Sequence, residues 1–250
     1  MARDLLDNHG RGGAGWSWPS IHPEGRKLGL ILGSVAVIML LVLGWNVLGW
    51  LALAGTFATL AFFRDPKRVV PQDARDIFSP ADGMVSLIRQ VEAPRELRVD
   101  DRAGAGGLPL GTVTRVSIFM SVFDVHINRA PIGGEVKRVI YTPGRFLNAD
   151  LDKASDDNER QHVLIQRGDG ALIAVTQIAG LVARRIVPFV KTGDIIAAGQ
   201  RIGLIRFGSR VDVYLPLGTD PMVILGQRVV AGETVLARFD ETHLIEGYLQ

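Results

Sequence analysis

The sequence predicts a mainly β protein of α+β class: a β-rich, barrel-sandwich-like domain behind an N-terminal apolar helical hairpin. Three observations lead there. From Leu28 to Phe63 no residue carries a charge. Beyond Pro71 the chain breaks into short runs of strand length, divided by glycine and proline. A weak internal repeat relates Gly193-Asp194-Ile195-Ile196-Ala197-Ala198-Gly199 to Gly226-Gln227-Arg228-Val229-Val230-Ala231-Gly232. Each copy sets two glycines around an apolar pair, the pattern of tight corners between short strands.

In chain order, residues 1–27 are expected to form a flexible arm. Gly10-Arg11-Gly12-Gly13-Ala14-Gly15 is its most mobile-looking stretch, and Trp16 and Trp18 are of the kind found at a membrane interface. No apolar core follows at the distance a cleaved secretory signal requires. Residues 28–63 are too long for one spanning helix of about 20 residues and slightly short for two. A turn is expected near Asn46 and the Gly44–Gly49 neighbourhood. Arg26 and Lys27 flank one end, and Arg64, Lys67 and Arg68 flank the other. Basic flanks at both ends belong on the cytoplasmic side, which a membrane hairpin satisfies and a single span does not. Residues 64–250 form the remaining domain. Strands are expected at 85–91, 112–120, 136–141, 161–166, 172–178, 181–187, 201–206, 211–215 and 234–239. Loops are expected at 100–110 and, beside the site, at 145–160.

Composition excludes several classes. The chain has no cysteine, which removes disulfides and thiolate metal sites, and no other metal site is expected. A net charge of +2 and no Lys/Arg block interleaved with aromatics argue against nucleic acid. A hydrophobic fraction of 47% suits a folded protein with one membrane segment.

The chemistry centres on Leu204-Ile205-Arg206-Phe207-Gly208-Ser209-Arg210-Val211-Asp212. A serine hydroxyl can attack the carbonyl of the residue before it, and glycine puts no side chain in the way. Elimination from the resulting ester leaves dehydroalanine, which hydrolyses to an N-terminal pyruvoyl group. That ketone can form an imine with a substrate amine and act as an electron sink. The dipeptide is not decisive, because Gly33-Ser34 is the same pair in an apolar run.

The wider segment, Gly199 to Pro216, resembles the cleavage segment of phosphatidylserine decarboxylases. Phe62-Phe63-Arg64-Asp65-Pro66, Ser79-Pro80-Ala81-Asp82-Gly83 and Phe123-Asp124-Val125-His126-Ile127-Asn128-Arg129-Ala130-Pro131 match the same family in order. The chain is most similar to the short, membrane-associated bacterial type. The glycine repeat also resembles the hammerhead turn of biotinyl and lipoyl carriers, without the lysine a carrier needs.

The resemblance implies self-cleavage between Gly208 and Ser209 and a pyruvoyl cofactor made from Ser209. The two products, 1–208 and 209–250, would remain a heterodimer, with a higher oligomer open. The substrate would be phosphatidylserine at the cytoplasmic face of the cell membrane. Of the five histidines, His126 and His162 are interior candidates, and His126 lies in the family motif. Asp82 corresponds to the aspartate of a charge-relay set in a longer branch. That branch carries His-x-x-His, whereas this chain has Arg129 in the second place, and arginine is no base at ordinary pH. Two routes therefore stay open: His126 acts directly on Ser209, or cleavage relies on strain and positioning. Asn128, Arg129, Arg184 and Arg185 are candidates for substrate binding, the arginines at the phosphodiester by paired hydrogen bonds. Removing residues 1–63 is expected to leave self-cleavage possible while cutting activity on membrane lipid. Rival readings are a non-catalytic, membrane-tethered lipid-binding domain and a decarboxylase of another serine-headgroup lipid.

Overall fold

The computed structural model describes residues 18–98, 107–108, 111–144, 158–180, 185–206, 208–239 and 241–242. Helices α1 (Pro23–Leu41) and α2 (Asn46–Phe62) form the expected hairpin. α1 starts with proline at its first turn and with His22 Nδ1 accepting from Glu24 N at 3.3 Å. It thus begins ahead of the apolar run, within the stretch expected to be a flexible arm. Residues 1–17 of that arm lie outside the described residues. The turn centres on Gly44, at φ +66, and Asn46 opens α2 rather than lying in the turn.

Glycine lets the two helices approach closely. Gly25, Gly29 and Gly33 recur every fourth residue along α1. A Cβ on Gly25 would sit 2.2 Å from Phe63 Cβ, and one on Gly29 would sit 2.6 Å from Leu60 Cδ2. This is the small-xxx-small seam of helices that meet without a hydrophobic driving force. The other faces stay apolar and open: Leu30, Leu41, Val47, Trp50, Leu51 and Phe57 are all more than half exposed. Among the described residues no helix is long and apolar enough to cross a membrane.

The strands are β1 (Ser20–Ile21), β2 (Arg64–Asp65), β3 (Asp76–Phe78), β4 (Gly83–Glu92), β5 (Thr112–Met120), β6 (Ile127–Arg129), β7 (Gly134–Thr142) and β8 (Arg160–Gln166), then β9 (Leu172–Ala179), β10 (Ile186–Pro188), β11 (Ile195–Ile196), β12 (Arg201–Ile205), β13 (Ser209–Tyr214), β14 (Arg228–Val229) and β15 (Val235–Arg238). β1 and β2 pair at the base of the hairpin. An eight-stranded antiparallel sheet runs β11-β7-β8-β9-β13-β5-β4-β14, beside a three-stranded sheet β10-β12-β6 and the pair β15-β3.

The eight-stranded sheet buries both faces in its middle. Val163, Ile165, Val175, Val211 and Val213 join one core with Val116, Ile118 and Met120. The alternate residues Leu164, Ala174 and Tyr214 join a second core with Leu97 and Leu108. Two covered faces explain why these strands read as near-continuous apolar runs.

The glycine repeat caps this sheet. β11 and β14 are its two edge strands, each between positive-φ glycines: Gly193 and Gly199, then Gly226 and Gly232. The far edges nevertheless meet, because a Cβ on Gly232 would lie 3.4 Å from Gly199 Cα. The sheet therefore curls back on itself, as barrel-like packing requires. Arg129 staples the junction, donating to Gly199 O and Pro66 O at 2.9 Å each.

Two strand starts near Ser209 differ from the sequence expectation. β13 begins at Ser209 instead of 211. Ser209 and Arg210 look like loop residues, yet β13 is an interior strand and Arg210 is buried against Asp212, 2.9 Å away. β10 begins at Ile186, and 181–184 lie outside the described residues. So do 145–157 and most of 100–110.

Candidate active site

Gly208 and Ser209 sit where the chain changes sheets. β12 belongs to the three-stranded sheet and β13 to the centre of the eight-stranded one, so the chain crosses between the two just before Ser209. Gly208 takes φ +54, a left-handed conformation natural to glycine, with nothing within 4 Å of where a Cβ would point. Ser209 pairs with Met120 on one side and Ala179 on the other, and it is fully buried. Its Oγ donates to Met120 Sδ at 3.4 Å. A thioether is a weak acceptor that takes no proton.

Met120 Sδ has a second neighbour. Asn128 Nδ2 approaches it at 3.6 Å. The Asn128 carbonyl accepts from Gln177 Nε2 at 2.8 Å, and Gln177 Oε1 accepts from Gln161 Nε2 at 2.9 Å. All three amides are buried. In this row the Asn128 and Gln177 oxygens each face an amide donor. Gly203 makes room for it: a Cβ there would lie 2.7 Å from Gln177 Nε2. The sequence reading singled out Asn128 but missed Met120, Gln161 and Gln177. The legible signal was a pair of amides inside apolar strand runs.

His126 lies on the other flank of the Gly208–Ser209 bond. Its carbonyl accepts from Ile205 N at 3.2 Å, so its backbone is tied to the last residue of β12. Its Nδ1 lies 3.0 Å from Asp124 O. A carbonyl only accepts, so Nδ1 carries the hydrogen and Nε2 keeps its lone pair. That buried Nε2 has no hydrogen-bond partner among the described residues. Burial pushes the imidazole pKa down to about 4, so it is neutral at physiological pH. Phe62, at the end of α2, covers it with ring centroids 4.2 Å apart. Phe62, Phe63, Val125, Ile127 and Leu204 form one small core. The hairpin is thereby packed directly onto the segment that carries His126 into β6.

The other candidates are placed differently. His162 is also buried and held near pKa 4 by desolvation. It pairs with Thr176, which in turn pairs with Asp212. It therefore sits two strands over and three residues along from Ser209, and its Nδ1 engages Thr176 Oγ1 at 2.7 Å. Asp82 accepts from Arg68 at 2.5 Å and from Ala231 N at 2.8 Å. Burial raises its pKa despite both partners. It makes no hydrogen bond to His126, so the two do not form a relay here. The Arg129 guanidinium is turned to Gly199, Pro66 and, at 3.6 Å, Asp65. Arg185 is exposed, and its carbonyl accepts from Arg206 N at 3.2 Å, two residues before Gly208. Arg184 lies outside the described residues.

The family model that describes phosphatidylserine decarboxylase matches residues 56–237. The chain belongs to the phosphatidylserine decarboxylase family. It is 66% identical over 250 residues to the phosphatidylserine decarboxylase proenzyme of Erythrobacter litoralis, covering 100% of both chains. It is 63% identical to the proenzyme of that name from Novosphingobium aromaticivorans, covering 99% of this chain and 98% of that one. The Zymomonas mobilis proenzyme is 56% identical over 89% of this chain and 88% of its own. The seam that holds Gly208 and Ser209 lies within the matched residues.

Proposed function

We propose that this chain is the proenzyme of a pyruvoyl-dependent phosphatidylserine decarboxylase, a carboxy-lyase that converts phosphatidylserine to phosphatidylethanolamine. The observation that carries the reading is the left-handed Gly208 joined to a buried Ser209, at a seam flanked by an unpartnered His126 Nε2. Ser209 Oγ attacks the Gly208 carbonyl carbon and the C–N bond breaks as nitrogen takes a proton, leaving an ester. Loss of the Cα proton of residue 209 expels the Gly208 carboxylate. The remaining enamine takes up water and releases ammonia, leaving a ketone at the new N-terminus. His126 Nε2 is the proposed acceptor of the Ser209 proton, since it keeps a lone pair with no partner and its backbone is tied to Ile205, four residues before Ser209.

The residues fit such a group. The open space at Gly208 lets the new ends separate, and β5 and β9 still grip residue 209. An N-terminal pyruvoyl group supplies an electrophilic ketone and an electron sink for losing carbon dioxide from an amino-acid headgroup. His126 Nε2 takes a proton from the substrate's ammonium group and returns it to the headgroup α-carbon, and Asn128, held by Gln177, orients the headgroup. Arg185 and its neighbour Arg184 bind the phosphodiester, while Arg129 holds the two glycine turns together.

The products 1–208 and 209–250 stay joined by strands. β13, β14 and β15 of the small piece pair with β5, β9, β4 and β3 of the large one. The apolar hairpin dips into the membrane from the cytoplasmic face, its basic flanks outside, and holds the site at the headgroup level.

The test is release of labelled carbon dioxide from vesicles containing carboxyl-labelled phosphatidylserine. Release by the wild-type chain and none by Ser209→Ala supports the reading. Equal release by both sinks it, and release only from another serine-headgroup lipid reassigns the substrate.

A further inference from the structure

Beside Phe62 an apolar cleft of about 320 Å³ lies between the last turns of α2 and the Ser121–Asp124 turn, lined by Ala58, Ala61, Phe62, Arg64, Val122 and Phe123. We propose that this cleft takes the first stretch of an acyl chain of the substrate lipid. The inference rests on the decarboxylase reading and adds to it a subsite.

Four observations support this occupant. The walls are mostly apolar, with Thr59 and Arg64 the polar side chains among them, and the Phe62 ring that lines the cleft also contacts His126, so cleft and site share one wall. Phe123 is 83% exposed and Val122 49%. Leaving large apolar side chains in water is costly by roughly 25 cal/mol per Å². Their exposure does not come from a loose loop. Asp124 Oδ2 accepts from Ser121 N at 2.8 Å and from Ser121 Oγ at 2.7 Å, and Asp124 also pairs with Arg228. Arg64 then bridges the turn to α2, donating to Ala61 O at 2.8 Å and Phe123 O at 2.6 Å. Finally, α2, which lines the cleft, carries further open apolar surface, including Phe57. A lipid tail resting on the hairpin thus meets apolar side chains on the same helix that ends in the ring over His126. The same turn follows Met120, the residue opposite Ser209, so one rigid corner joins cleft and cut.

The test uses phosphatidylserine with hexanoyl chains, kept monomeric, and glycerophosphoserine, which has the same headgroup and no chain. The readout is the ratio of kcat/KM for the first to that for the second. Ala58→Phe, on the exposed helix surface, fills the cleft, and Phe123→Ser removes a wall. Each is expected to lower the ratio tenfold or more, since apolar pocket contacts are worth about 10–200-fold. Self-cleavage reports that the variant has folded. An unchanged ratio overturns the subsite, even if activity on vesicles falls, because the turn would then only touch the membrane. Binding is read separately on the uncut Ser209→Ala chain carrying Phe123→Trp. Its emission should shift to the blue with the hexanoyl lipid and not with glycerophosphoserine. No shift overturns the subsite. A shift without decarboxylation by the wild-type chain would instead count against the proposed activity.

Discussion

Replacing Gln177 with methionine tests the buried amide row most sharply. Methionine nearly matches glutamine in length, so little volume changes and the perturbation is the loss of two hydrogen bonds. Gln161 Nε2 loses its acceptor at 2.9 Å, and Asn128 Oδ1 loses its donor at 2.8 Å. Both groups are buried, so water does not replace the partner. A buried polar group left unpaired costs about 1–3 kcal/mol, so the pair costs about 2–6 kcal/mol. That is a large part of the 5–15 kcal/mol typical of a domain. Urea unfolding should be measured in the Ser209→Ala background, where a single uncut species unfolds. In the cleavable chain, the Asn128 amide loses its anchor, so self-cleavage should slow as well. The double change Gln161→Met with Gln177→Met should cost less than the two single changes added, because the shared bond is counted twice. A cost below about 0.5 kcal/mol for Gln177→Met, with cleavage at the wild-type rate, would refute the reasoning.

Gly208→Ala should slow self-cleavage without abolishing it, since a left-handed alanine costs about 1–2 kcal/mol and no neighbour obstructs its Cβ; the fraction cut over time on a gel reads this. Acid should destabilise the fold between pH 6.5 and about 4. His126 and His162 have folded pKa values lowered to about 4, so in that window the unfolded chain binds more protons and stability falls as pH falls. Each contributes at most about 3 kcal/mol, while Asp82, with its pKa raised, opposes the trend slightly; unfolding midpoints across this range check the sign. Gly25→Val should push Phe63 off its place, because even a Cβ would lie 2.2 Å from Phe63 Cβ, and activity should fall with α-helix content retained. Deleting residues 1–63 should slow self-cleavage as well as activity on vesicles, because Phe62 and Phe63 leave the core around His126; gel densitometry separates this from the simple loss of a membrane tether.

The sequence showed the hairpin and the sheet class because both write themselves as local patterns: a long uncharged run, and strand-length apolar runs between glycines. The repeat foretold two glycine corners, though not that they close the two edges of one sheet against each other. That closure depends on contacts between Gly199, Gly232, Val70 and Arg129, which are far apart in sequence. It also accounts for arginine at 129, where motif reasoning looked for a base or a substrate ligand. Ser209 and His126 stand out in the sequence as candidates, and both are buried. Their setting does not stand out, because the Met120 contact and the Gln161–Gln177–Asn128 row arise only from register across strands. The start of β13 was missed because a buried Arg210–Asp212 pair looks like surface.

The most direct measurement is the intact mass of the purified wild-type chain, taken denatured before and after borohydride. The account predicts two pieces, 1–208 and 209–250, with the smaller gaining two hydrogens at its N-terminal ketone, and a single uncut chain for Ser209→Ala. A catalytically active wild-type preparation that stays at 27.1 kDa and takes up no hydrogen would contradict it.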